Sequence, residues 1–415
     1  MKILIKNILL DGQTTDVLIE DNRFALIQKD ICVAADVEID GTNKAILPAF
    51  YNQHTHAAMN LLRGLGDDKE LFSWLNEDIW PREATFDDEI IYWGTKFAIL
   101  EMIKTGTVGF SDMYFEQEAI MKAAAEMGVR AMVSFVEMDL FDNAQTQQKI
   151  KDTQKFLELK NPAPELIRKA IAVHAVYTAS EDIIRFAVKT AHENNLPLHI
   201  HACETQKEVD DCKAQHGCSP IVYLNKLGAL SPNTILAHAV HLDDEDIKII
   251  KENNVILCHN PVSNMKLCSG AFAFDKLTQN GCFITLGTDG SASNNNLNMF
   301  EEMKIAALSA KLQSMKPTAG KAQDIFKIAT FNGAKAMGID AGVIQAGKLA
   351  DCLLIDLNNL SLIPNYNLIS NIVYAANPSV LDTVICNGRI LMKNGVVPQE
   401  EEIKKHIQKI AQKLS

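Results

Sequence analysis

The stretch of this sequence best suited to chemistry is His54-Thr55-His56, at the end of the apolar run Ala45-Ile46-Leu47-Pro48-Ala49-Phe50. The run reads as one buried strand over 45–51. Side chains two apart on a strand share a face, so both imidazoles can converge on one point. Two convergent neutral imidazoles suit a borderline-soft divalent cation such as zinc. On its own, an HxH pair fits a structural or surface role equally well. Three other runs end in the same kind of residue: His199-Ile200-His201-Ala202-Cys203-Glu204, Ala237-His238-Ala239-Val240-His241 and Leu286-Gly287-Thr288-Asp289-Gly290. A divalent cation held by such groups lowers the pKa of a bound water toward neutrality, which is the chemistry of metal-assisted hydrolysis.

Positioning these groups requires a scaffold that gathers strand ends at one place. Apolar strands alternate with longer amphipathic stretches through the middle of the chain, the mark of repeated βα units. Eight strands are predicted, at 45–51, 107–112, 130–136, 170–176, 198–202, 234–240, 255–259 and 283–287. Helical stretches such as 90–104, 183–193 and 244–252 lie between them. Eight such units in one run favour a closed (β/α)₈ TIM-like barrel in an α/β protein, with catalytic residues at the C-terminal ends of its strands.

Both chain ends have a different rhythm. Residues 1–48 carry short alternating runs joined by Asp-Gly and Asp-Asn turns, read as antiparallel strands. Short strands return at 352–355, 373–375, 380–386 and 389–391, with the hairpin signal Asn387-Gly388 between the last two. The expected organisation is a small β-sandwich built from 1–48 and 341–415, the latter including a polar terminal helix, beside a barrel over 49–340.

The chain has 415 residues, 47% of them apolar and 22% charged, ordinary values for a globular protein. A formal net charge of −12 argues against a phosphate-binding nucleic-acid surface. No apolar stretch approaches the roughly 18 residues of a membrane helix. The N-terminus lacks the layout of a signal peptide, so a cytoplasmic location is expected. Nine scattered cysteines with no CxxC pair argue against both a Cys-rich zinc knuckle and a disulfide framework.

Several motifs in combination resemble the amidohydrolase superfamily: Phe50 to His56, Asp78 to Glu83, His201 to Glu204, His259-Asn260-Pro261 and Thr288-Asp289-Gly290. Asn260 to Leu267 and Ser293 to Asn298 are similar to the branch of 5-methylthioadenosine/S-adenosylhomocysteine deaminases and triazine hydrolases. The resemblance implies one divalent ion, zinc with iron or manganese as alternatives, held by His54, His56, His201 and Asp289. It also implies Glu204 as proton shuttle, His238 beside the activated water, and Asp289 as a second proton acceptor.

By resemblance, Glu83 accepts hydrogen bonds from ribose hydroxyls and Trp80 lies on a segment covering the pocket. His174 reads either as a substrate contact or as a core histidine, and His199 as a hydrogen-bonded structural residue. Dinuclear relatives carry a modified Lys on the fourth barrel strand; 170–177 has none, so a mononuclear site is expected.

The implied reaction is hydrolytic deamination of an adenine nucleoside with a modified 5′ position, releasing ammonia. Substrates of this kind are 5′-methylthioadenosine, 5′-deoxyadenosine and S-adenosylhomocysteine. Relatives that take the last are expected to offer an Arg just after strand three. Phe135 stands there, and is expected to line an apolar subsite. Alternatives are a deaminase or chlorohydrolase of a free heterocycle such as guanine or a triazine, and a non-catalytic relative that has lost its metal. The expected partner is a small molecule, with neither nucleic acid nor membrane, and a homo-oligomer is compatible with the sequence.

Overall fold

The computed structural model describes residues 1–414. Two eight-stranded sheets organise them. The first five strands are β1 (Lys2–Leu10), β2 (Gln13–Glu20), β3 (Arg23–Gln28), β4 (Val37–Asp40) and β5 (Lys44–Pro48). Eight strands follow in the middle of the chain: β6 (Phe50–Thr55), β7 (Thr107–Met113), β8 (Arg130–Glu137), β9 (Ile167–Val173), β10 (Leu198–Ala202), β11 (Thr234–His238), β12 (Ile256–His259) and β13 (Phe283–Leu286). The last three are β14 (Cys352–Asp356), β15 (Leu381–Cys386) and β16 (Arg389–Lys393).

Strands β6 to β13 are parallel and follow chain order, with helices between them, as in a TIM barrel. No backbone ladder joins β6 to β13. Instead the Asp289 N–H donates to the His54 carbonyl at 2.9 Å, and the Asn52 side chain bonds both Thr288 Oγ1 (2.7 Å) and Thr288 N (2.9 Å).

The chain ends make one continuous mixed sheet, ordered β16-β15-β14-β5-β1-β2-β3, with β4 also on β1. It encloses its own apolar cluster, including Ile3, Ile5, Ile19, Ile46 and Leu354. Strands β4 and β5 run parallel to β1, because each returns beside it after β3 rather than through a hairpin. Asn387 and Gly388, at φ +50° and +71°, make the tight turn that Asn-Gly favours between β15 and β16.

Three expectations are corrected. The run 45–51 is two strands in two sheets: β5 pairs antiparallel with β14, and the chain crosses at Ala49 to begin the barrel as β6. Pro48 has no N–H with which to extend a ladder. The run 373–375 belongs to the helix Leu368–Tyr374, whose N-cap Asn367 accepts from Ser370 N at 2.9 Å. An apolar run so short carries no period, so the capping residue decides it. The fourth barrel strand starts three residues earlier than expected, which leaves His174 just beyond its end.

A buried ion pair joins the two units. Arg130 on β8 donates to Asp351 through Nε (2.7 Å) and Nη2 (3.0 Å), while Tyr51 Oη (2.6 Å) and the Asn387 N–H (2.7 Å) donate to the same carboxylate. Arg130 is 1% exposed and Asp351 fully buried. Replacing Asp351 by Ala strands an uncompensated guanidinium, and we expect a loss of about 3–5 kcal/mol in equilibrium denaturation. An unchanged unfolding midpoint would show that the pair contributes nothing to stability. Among the described residues, no helix is long and apolar enough to cross a membrane.

Candidate active site

The strand ends of the barrel surround a pocket lined by His56, His174, His201, Glu204, His238 and Asp289. His54 ends up on β6, His201 on β10, and His56 and Asp289 just past the ends of β6 and β13. His201 Nε2 is 3.2 Å from His54 Nε2 and 3.3 Å from His56 Nε2. Asp289 Oδ1 is 3.3 Å and 3.2 Å from the same two nitrogens.

The surrounding bonds set the tautomers. His56 Nδ1 donates to the Met113 carbonyl (2.7 Å) and His201 Nδ1 to the His174 carbonyl (2.6 Å). A carbonyl only accepts, so in the neutral rings both Nε2 atoms present lone pairs to the cluster. His54 Nδ1 lies 3.0 Å from His199 Nε2, so His199 supports a cluster residue from behind. Asp289 Oδ2 is held by Ser263 Oγ (2.7 Å) and Ser293 Oγ (2.6 Å), which leaves Oδ1 to face the imidazoles.

Lone pairs crowded this way repel one another unless a cation takes them. Two donors each about 2.1 Å from one ion, at angles near 90–109°, stand about 3.0–3.4 Å apart. These four spacings fall in that window; the donors gather as two groups that share His54, one with His56 and Asp289 and one with His201 and His238, and each group is compact enough for one divalent ion. Burial keeps the His201 pKa well below the ordinary imidazole value and brings His54 down to about 4, both suited to neutral ligands. Burial pulls His56 down as well, but the Asp289 carboxylate and the Met113 carbonyl outweigh it and raise His56 to about 9. A cation bound in the cluster would take the place of that proton.

Glu204 and His238 lie beside the cluster. Glu204 is 5% exposed, and burial raises its pKa. Its Oε1 accepts from Ser269 Oγ at 3.2 Å, and its Oε2 is 3.8 Å from His238 Nε2. His238 Nδ1 bonds Asn264 Oδ1 at 2.8 Å, which leaves Nε2 on the pocket side as an acceptor. The backbone is bent into the left-handed region at His238 (φ +70°) and Asp289 (φ +65°), a conformation that costs energy and gathers at functional sites.

Residues 71–83 form one continuous helical segment over the mouth, with a π-turn at Leu75–Ile79. It contributes Leu71, Trp74, Trp80 and Glu83 to the lining. Burial raises Glu83 to about 7 against the lowering effect of the Tyr114 hydroxyl and His56, and Oε1 has no hydrogen-bond partner. His174 also lines the pocket, with Nδ1 2.9 Å from Thr178 Oγ1.

Phe135 does not reach the pocket. Strand alternation turns it outward onto Phe156 (5.7 Å between centroids), below Lys149 Nζ at 5.5 Å. Its neighbour Val136, with Met138 and Phe115, makes the apolar wall instead. Met113, the last residue of β7, Tyr114 directly after it, and Tyr177, three residues after His174, are lining residues that the sequence reading missed. Their position just beyond strand ends was the available signal. Among the described residues no Lys or Arg lines the pocket. Lys169 does belong to β9, but its Nζ caps the carbonyls of Phe156, Leu157 and Leu159 away from the site.

The amidohydrolase family's sequence profile matches residues 45–391. This chain belongs to that family. It is 45% identical over 397 residues to a 5′-deoxyadenosine deaminase of Methanosphaera stadtmanae, covering 94% of this chain and 93% of the relative. It is 47% identical over 378 residues to a 5-methylthioadenosine/S-adenosylhomocysteine deaminase of Archaeoglobus fulgidus, covering 91% and 89% of the two chains. The crystal structure of an adenosine deaminase from Xanthomonas campestris with bound zinc superposes with a TM-score of 0.92 at 28% identity, covering 100% of this chain and 98% of that one. The protein is an enzyme of the hydrolytic deaminase type.

Proposed function

We propose that this amidohydrolase deaminates adenine nucleosides whose 5′ position is modified, 5′-deoxyadenosine and 5′-methylthioadenosine foremost. The carrying observation is one pocket that joins His56, His201, Asp289 and Glu204 to Glu83 and an apolar, cation-free wall. The relatives bearing these substrate names support the same reading.

His54, His56, His201 and Asp289 would hold one divalent ion. Zinc is the choice supported by the zinc-bound relative, and iron or manganese suit the same donors. Such an ion would lower the pKa of water to near neutrality. His238 Nε2 accepts a hydrogen bond from the attacking water and so orients it. Asp289 accepts a proton from the same water. Glu204, whose burial favours the protonated form, delivers a proton to a ring nitrogen, and the proton that Asp289 took from the water passes to the amino group, which leaves as ammonia. Glu83 accepts from the vicinal ribose hydroxyls, as a carboxylate can from two donors at once. Trp80 and His174 border the same space and contact the nucleoside.

Ammonia release from purified protein tests the reading against 5′-deoxyadenosine, 5′-methylthioadenosine, guanine and a chlorotriazine. Turnover of the two nucleosides is expected. Activity confined to the free heterocycles would overturn the proposal, since neither carries the diol that Glu83 would bind.

The wall at Phe115, Val136 and Met138 sets a second expectation. S-adenosylhomocysteine ends in a charged amino-acid group, and a lost charge-assisted hydrogen bond is worth about 1.5–3 kcal/mol. The kcat/KM for methylthioadenosine should exceed that for S-adenosylhomocysteine by roughly 10- to 150-fold on one preparation. Equal values would show that a cation reaches the pocket from elsewhere, such as a neighbouring subunit.

A further inference from the structure

His201 and Glu204 are three residues apart, and on an uninterrupted strand residues at that spacing face opposite sides. Both nonetheless line the same pocket. The reversal occurs at Cys203, which adopts φ +53°, a left-handed conformation disfavoured for any side chain bearing a Cβ. The bend also turns two successive N–H groups, those of Cys203 and Glu204, away from the strand ladder.

Both N–H groups donate to one carboxylate. Cys203 N lies 2.9 Å from Glu208 Oε1, and Glu204 N lies 2.8 Å from Glu208 Oε2. Glu208 is 1% exposed and sits in the first turn of helix Gln206–His216, where its own N–H donates to the cap Thr205 Oγ1 at 3.2 Å. The other side of the bend is pinned too, for the Cys203 carbonyl accepts from Val240 N (3.0 Å) and His241 N (2.9 Å). No Lys or Arg is bonded to Glu208 in the described structure; its two acceptor oxygens are committed to the bend.

We infer that Glu208 is a positioning residue for catalysis: by holding the left-handed bend at Cys203, it turns the Glu204 carboxyl into the pocket beside His201. This rests on the role proposed for Glu204 as proton donor. Glu208 touches neither the substrate space nor the metal donors, so its effect must pass through Glu204.

The test is Glu208→Gln in the full-length holoenzyme. The amide oxygen can accept from one of the two N–H groups, while its NH₂ faces the other as a second donor. Metal content and KM for methylthioadenosine should stay within about threefold of wild type, and kcat should fall about 10- to 100-fold, the scale of a lost outer support. In a Glu204→Gln background the same change should cost less than about threefold, because the group it positions has already lost its proton. Peptide hydrogen exchange should be faster across 202–205.

An unchanged kcat in Glu208→Gln, or an equal loss in both backgrounds, would overturn the inference. Where Glu208→Gln does not fold, Glu208→Asp, one methylene shorter, carries the same comparison. Should wild type release no ammonia from any nucleoside, the functional reading fails by itself. Exchange at 202–205 then decides the inference: exchange unchanged in Glu208→Gln would overturn it, and faster exchange would support the bend-holding role.

Discussion

Purified protein is expected to carry about one divalent ion per chain, and His54→Ala, His56→Ala or His201→Ala is expected to abolish both ion and turnover. Each imidazole contributes one of four donor atoms spaced 3.2–3.3 Å from their neighbours. Removing one leaves three donors in a site built from four, with the lost group's place open to water, and so weakens retention of the ion. The effect should exceed that of losing an outer support such as His199, for which about 10- to 100-fold in metal affinity is usual. Elemental analysis of wild type and variants after dialysis is the measurement. Two ions per chain bridged by a modified lysine would sink the mononuclear reading. The structure argues against that outcome, for Lys169 spends its ammonium on three carbonyls remote from the pocket.

Glu204→Gln should separate proton transfer from metal binding. Glu204 lies outside the donor cluster, so the ion should stay while kcat falls by roughly 10²–10⁴, the usual worth of a positioned acid–base group. Its KM should hold, because the substrate's ribose and base keep their other contacts. Near-normal turnover would remove Glu204 from the mechanism. Asp289→Asn should differ from it by damaging both metal retention and rate, since Asp289 Oδ1 faces the ligand imidazoles.

The two residues also differ in how readily the sequence exposes them. The barrel was legible because its strands are apolar runs set at βα spacing, and the four proposed metal donors lie at or just past the ends of such runs. The spacing of His54 and His56 converted directly into a shared direction. Glu204 was legible only by resemblance: strand alternation points it away from His201, and nothing local announces a left-handed cysteine at 203. The same limit explains Phe135. It lies near the end of a barrel strand, but alternation gave the pocket to Val136 and turned Phe135 toward a helix. The passage from β5 to β6 was hidden because two consecutive buried strands read as one apolar run. The pairing of Arg130 with Asp351, 221 residues apart, has no local sequence signature at all.

The seam between β6 and β13 has a consequence for when the enzyme comes into being. Asn52 and Thr288, which close it, are 236 residues apart, and His54 and Asp289 stand immediately beside them. During synthesis, domains begin to fold from the N-terminal side as the chain emerges. A nascent chain ending before β13 already owns His54, His56 and His201, yet has neither the carboxylate nor the strand that sets their spacing. Three imidazoles on an open sheet make a poor trap, open to whichever ion arrives. The full donor set exists only once the first and last barrel strands have met. Tight retention of an ion by the proposed donors would therefore be a readout of ring closure, and no shortened barrel would hold it on the same terms.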